Sequence, residues 1–190
     1  MVMRRLGSGE RTTLLDLLFL FIFGIGFGYV EAAVVSYLRA LIKFHQNYSI
    51  SHYKVWLNLG FITFVQPERS IFLSRRIADI EVGREAMTIV MLVAVAYLAS
   101  RVWSQRCGAF LILFACWDIS YYGWLRELDS WPPSLFTRDV FFLIPVTWIG
   151  PVITPIVLSI AILIWGSWWY LDAAATTTPR STSRTSWSIC

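Results

Sequence analysis

The chain has 190 residues, 57% of them hydrophobic and only 15% charged, with a mean hydropathy of +0.61, whereas a soluble domain carries about a quarter charged residues. That balance excludes an ordinary soluble domain and predicts an integral membrane protein. The formal net charge of +4 does not predict nucleic-acid binding, because the basic residues form no cluster and stand at the edges of apolar runs, where they set topology.

In chain order, residues 1–12 are expected to form a cytoplasmic N-terminal tail and residues 13–38 a first span. The apolar stretch from Leu14 to Ile42 follows Arg4 and Arg5 as in a signal peptide. It is much longer than an h-region and has no clear cleavage site, so it is expected to stay in the membrane. Residues 39–80 are expected as an outer loop whose apolar part, Val55 to Val65, is too short to cross. An interfacial helix or a small sheet resting on the membrane fits it better. Further spans are expected over 81–103 and 108–125.

The last apolar block, 140–171, contains Pro145, Gly150, Pro151 and Pro155 and exceeds the roughly 20 residues that one crossing needs. Proline removes a backbone donor and clashes with the preceding turn, so VFFLIPVTWIGP is expected as a broken or re-entrant piece ahead of a full helix from Val152 to Tyr170. The predicted fold class is an all-α polytopic transmembrane bundle, a single domain over 13–171 with four spans, or five if the broken piece crosses alone. The Ser/Thr-rich tail, 172–190, is expected to be disordered.

A bare count of basic residues does not settle orientation: with the N-terminus inside, seven of the sixteen Lys and Arg are cytoplasmic. The dense, acid-poor clusters, MVMRR and SRVWSQR, weigh most. They place both termini on the cytoplasmic side.

On this frame Glu31, Glu85, Asp118 and Asp139 all lie toward the outer leaflet. At about 100° per residue, Gly24, Gly28, Glu31 and Val35 share a stripe, and Gly24-x-x-x-Gly28 is a small-residue pattern that lets helices approach closely. Glu31 is therefore expected to face a neighbouring helix. In the second span Glu81, Glu85, Thr88 and Leu92 share a face beside Arg84; in the third, Asp118, Tyr121 and Tyr122 cluster. An intramembrane carboxylate costs about 2.5 kcal/mol or more and must be paired, hydrated or protonated. Three readings follow: a structural network in which Arg39, Arg84 and Arg138 neutralise the acids, a carboxylate-lined route for protons or cations, and an enzyme site with a carboxyl as general acid or base. After the rigid SWPPSL turn, Thr137 or Asp139 is expected to cap a helix start.

No histidine lies in any predicted span, His45 and His52 both falling in the outer loop. The Glu-x-x-His signature of two-metal bundles is missing, and no metal or cofactor is expected. Cys107 and Cys116 read as buried small hydrophobes, and the terminal Cys190 is not a prenylation box. The glycines at 24 to 28 lie inside a span, so a dinucleotide loop is excluded by context. Asn47-Tyr48-Ser49 matches a glycosylation sequon, a pattern frequent by chance.

Taken together, YVEAAVVSYLR, EVGREAMTIVML, CWDISYY, WPPSLFTRD and FLIPVTWIGPV resemble a family of small multi-spanning prokaryotic membrane proteins with no assigned function. The resemblance covers about Gly28 to Pro155. It implies a cell-membrane location and points to Glu31, Arg39, Arg84, Glu85, Asp118, Tyr121, Tyr122 and Asp139, with Trp117 added. A small transporter or ion-coupled membrane protein is the favoured reading; a membrane-embedded enzyme acting on a lipid-like substrate and a non-catalytic subunit of a membrane complex are the alternatives. The expected partners are the lipid bilayer and either a second copy of the chain or a larger membrane complex.

Overall fold

A computed structural model describes residues 8–42, 54–65, 75–100, 102–144 and 146–177. Four helices dominate: α1 (Ser8–Ile42), α2 (Arg75–Ala99), α3 (Trp103–Asp129) and α4 (Ile153–Thr177). Strands β1 (Val55–Asn58) and β2 (Thr63–Val65) join α1 to α2, and β3 (Arg138–Phe142) and β4 (Thr147–Pro151) join α3 to α4. Each helix is long and apolar enough to cross a membrane. In hydrocarbon the backbone has no water to bond, so a segment this apolar satisfies its own amides by coiling. The protein is a membrane-embedded bundle of four helices with a minor sheet.

α3 is the central helix, packed along α1 on one side and α4 on the other, while α2 leans on it over a shorter contact. Glycine makes the close approaches. A Cβ at Gly24 would lie 2.5 Å from the Cβ of Cys116, and one at Gly28 would lie 2.1 Å from Ser120 Oγ and 2.9 Å from the Trp117 carbonyl. Gly24 and Gly28 therefore seat α1 on α3, and Gly166 of α4, against Leu111, repeats the device on the other flank. Below the sheet the interior is apolar, built around Leu20, Leu92, Ile112 and Leu113. A second cluster under the WPPSL turn joins Ala32, Tyr122, Leu125, Trp131 and Val152.

The sheet differs from the broken helical piece expected at 140–151. Val140 and Phe142 pair with Ile149 and Trp148 in an antiparallel hairpin, and β4 pairs with β2, giving the order β1-β2-β4-β3. β-Branched and aromatic residues favour strands; Pro151 ends β4, and Pro155 falls in the first turn of α4, where a missing amide breaks no helical bond. Of the two forms expected for Val55–Val65, a sheet is the one adopted. Its β1–β2 turn needs Gly60, whose φ is +84°, a region costly for residues with a Cβ; Asn58 Oδ1 accepts from the Gly60 amide at 2.8 Å.

Asp139 caps no helix. It lies in β3 opposite Gly150, and the first amides of α4 are satisfied by loop carbonyls instead, Val152 N–H donating to Thr137 O at 3.0 Å and Ile153 N–H to Leu135 O at 2.8 Å. Thr137 contributes through its backbone there, and its hydroxyl accepts from the Ser134 amide. α1, α3 and α4 run beyond their expected ends, whereas α2 begins earlier, at Arg75, and stops at Ala99, short of the expected Trp103, which instead begins α3. Ser8 to Thr12, assigned to the tail, begin α1, and α4 continues to Thr177 through Ala173, Ala174 and Ala175, residues of the highest helix propensity. Residues 178–190, with Cys190, and His45, His52 and the sequon lie outside the described residues. Cys116 is buried as expected, whereas Cys107 is exposed, on a turn of α3 next to the packed Gly108.

The glycine seat predicts that Gly28→Ala, which drives a methyl into Ser120 and the α3 backbone, lowers stability by about 1–3 kcal/mol. Gly26→Ala, with nothing within 4 Å of its Cβ position, leaves stability unchanged or slightly raised. Unfolding midpoints in one detergent distinguish the two.

Candidate functional site

At the sheet end of the bundle, α1, α2, α3 and β3 enclose a cavity of about 120 Å³, room for several waters. All eight candidate site residues line it: Glu31 and Arg39 from α1, Arg84 and Glu85 from α2, Asp118, Tyr121 and Tyr122 from α3, and Asp139 from β3. Glu81 and Trp117 join them, and Val35, Leu38 and the β3 residues supply apolar wall.

The acids differ in what holds them. Arg84 bonds the Glu31 carboxylate across the helix interface, while its Nε donates to Glu81 Oε2 at 2.8 Å within α2. The i, i+3 spacing of Glu81 and Arg84 puts both on one helix face. Glu85, one turn further along, accepts from the Leu143 backbone amide at 2.9 Å, where the chain leaves β3. Asp118 accepts from Ser159 Oγ of α4 at 2.8 Å. Asp139 accepts from the Tyr122 hydroxyl at 3.3 Å, and Tyr121 stacks edge-on against Tyr122 with centroids 4.8 Å apart. Arg39 lies 4.1 Å above the Trp131 ring and 3.5 Å from Asp129, at the rim.

Alternation along β3 explains why Asp139 is inside. Successive strand side chains point to opposite faces, so Arg138 is exposed and Asp139 is buried. Arg138 was expected to neutralise an acid; it points outward, and the cation that acts on Asp139 is Arg39. Burial raises the Asp139 carboxyl from 3.8 to about 6, against the opposing pull of Arg39 and the bonds from Val140 N–H and the Tyr122 hydroxyl, with Asp118 adding repulsion. Its proton is therefore held more tightly in the folded protein than in the unfolded chain, and stability falls as pH rises from about 4 to 6.

Five carboxyls, Glu31, Glu81, Glu85, Asp118 and Asp139, face two guanidiniums, Arg39 and Arg84, in this cavity. Fully ionised, the site carries an excess of three negative charges by that count. Among the described residues no three His, Cys, Asp or Glu side chains are arranged as a metal site requires. The indole of Trp117, 5% exposed, packs against Phe114 and Phe142. Its Nε1–H has no hydrogen-bond partner among the described residues, an uncommon state for a buried donor.

Sequence reasoning brought the right helix faces together but omitted several contributors. Glu81 shared the recognised stripe and was not selected. Ser159, a polar residue inside an apolar span, was a readable signal. The Leu143 amide was not, because every residue has one and only the fold aims it. Trp117 entered through the resemblance alone. No family model, no curated protein and no solved structure matches the chain.

Removing Arg84 strands two partly buried acids, so Arg84→Met is expected to cost about 3 kcal/mol. Glu31→Gln, which leaves Arg84 paired with Glu81, costs about 1 kcal/mol. Denaturant unfolding of the two variants checks the order, and Glu31→Gln combined with Arg84→Met recovers part of the larger loss.

Proposed function

We propose that the protein is a small proton-coupled membrane transporter whose cavity binds and releases protons on Glu85, Asp118 and Asp139. One observation carries the reading: these three acids are held by neutral donors, while Arg84 is committed to Glu31 and Glu81. A carboxyl locked to a guanidinium stays ionised and serves structure. A carboxyl facing a hydroxyl can change state without leaving a buried group unpaired, because Ser159 and Tyr122 donate to a carboxylate and accept from a carboxylic acid. Intramembrane acids facing a cavity are typical of proton relays.

The excess negative charge favours protons and cations over anions. With both termini in the cytoplasm of a prokaryotic cell, the sheet and the cavity lie at the outer face. The apolar cluster around Leu92 and Leu113 closes the other end, so passage needs one helix to move. α2 is suited to that role. It has the shortest contact with the bundle, and at the cavity end it is tied by the Arg84–Glu31 pair and the Glu85–Leu143 bond, the second of which weakens when Glu85 takes a proton.

Proteoliposomes containing a pH-sensitive dye, with a membrane potential imposed by potassium and valinomycin, provide the test. The wild type is expected to carry protons above protein-free vesicles, and Asp118→Asn and Glu85→Gln to reduce that flux roughly tenfold or more while remaining monodisperse. Equal flux in wild type and variants, or none above the empty vesicles, contradicts the reading.

A further inference from the structure

We infer that this cavity takes an amphiphile with an ammonium head and an oxygen function beside it, the apolar chain lying in a lateral crevice behind Phe142. The inference rests on the cation-accepting reading of the cavity and names its organic substrate class. The crevice, of about 70 Å³, is lined by Ile62, Phe114, Trp148, Pro155 and Leu158, and shares Asp118, Phe141 and Phe142 with the acidic cavity. Those three side chains are the wall between a charged compartment and an apolar one. Leu158, 51% exposed on the second turn of a membrane-spanning helix, puts the crevice mouth on the lipid-facing side of the bundle.

Two features select the head. The cavity sets its negative excess beside Trp117, Tyr121, Tyr122 and Phe142, and aromatic faces combined with carboxylates recognise ammonium ions. Trp117 and Trp148 flank Phe142 at centroid distances of 6.0 Å and 6.2 Å, one on the cavity side and one on the crevice side. Both indole N–H groups are buried without a partner among the described residues. With a small rotation of either ring, the hydroxyl, ether or ester oxygens of a ligand crossing at Phe142 supply the acceptors these donors lack. A bare inorganic cation supplies none and leaves the crevice empty.

The probe is a long-chain amino alcohol carrying a nitroxide on its chain, added to full-length protein in phosphatidylcholine vesicles and read by electron paramagnetic resonance. The expected result is a saturable, motionally restricted component that a fatty acid or fatty alcohol of the same chain length does not reproduce. Asp118→Asn, which removes the charge, and Leu158→Trp, which fills the crevice mouth, each weaken it roughly tenfold. Leu158→Phe is the milder crevice variant, and Val90→Trp, on a lipid-facing position of α2, leaves it unchanged. Equal restriction of amine, alcohol and acid, or indifference to both Asp118→Asn and the Leu158 variants, means ordinary lipid contact and overturns the inference. Specific amine binding in vesicles that show no proton flux supports the inference and removes proton coupling; proton flux sensitive to Asp118 without amine selectivity does the reverse.

Discussion

The guanidinium of Arg84, held between Glu31 of α1 and Glu81 of its own helix, is the interaction on which the rest of the structure depends. A lone charge among membrane-spanning helices costs about 2.5–3.5 kcal/mol, and here one guanidinium shared by two carboxylates offsets most of that cost. The pair joins α2 to α1 at the cavity end. By satisfying Glu31 and Glu81, Arg84 also leaves Glu85, Asp118 and Asp139 to neutral partners, which gives the cavity its negative excess. The bonding thus divides the acids into two sets, and the division follows the arginine.

The apolar scaffold makes that geometry rigid. With Gly24 and Gly28 seated on α3, the turn of α1 bearing Glu31 is fixed relative to Asp118 and Tyr121. The small sheet then closes the site from above: β3 turns Asp139 inward and delivers the Leu143 amide to Glu85, a bond the interior of a helix could not make because its amides are already used. Trp131 anchors the connecting turn beneath the Arg39 guanidinium. Each strand residue at the site is there because two hairpins from different connections pair through β2 and β4.

Much of this was legible in the sequence, and the failures have a common cause. Hydropathy located the four helices, and the 100° periodicity of Gly24, Gly28 and Glu31 correctly turned the carboxylate inward, because lipid imposes a strict rule on what faces it. The proline-rich block misled. Pro145, Pro151 and Pro155 announce that a helix stops, but not that the residues between them pair with Thr63–Val65 more than eighty positions earlier. Pairing partners at that separation leave no local mark. The same limit hid the sorting of the acids: Arg39, Arg84 and Arg138 look equivalent in sequence, and only strand alternation and a shared interface make Arg84 the bridge and Arg138 a surface residue.

The central claim is that the neutrally bonded acids change protonation while Glu31 does not. Infrared difference spectroscopy of the protonated-carboxyl band, recorded as a pH titration of the protein in membranes, tests it most directly. Burial predicts a component with a midpoint near pH 6 that disappears in Asp139→Asn, further components lost in Asp118→Asn and Glu85→Gln, and no change in Glu31→Gln. A band insensitive to pH, or one removed by Glu31→Gln alone, would show that the cavity acids are fixed in one state and serve only to hold the bundle together.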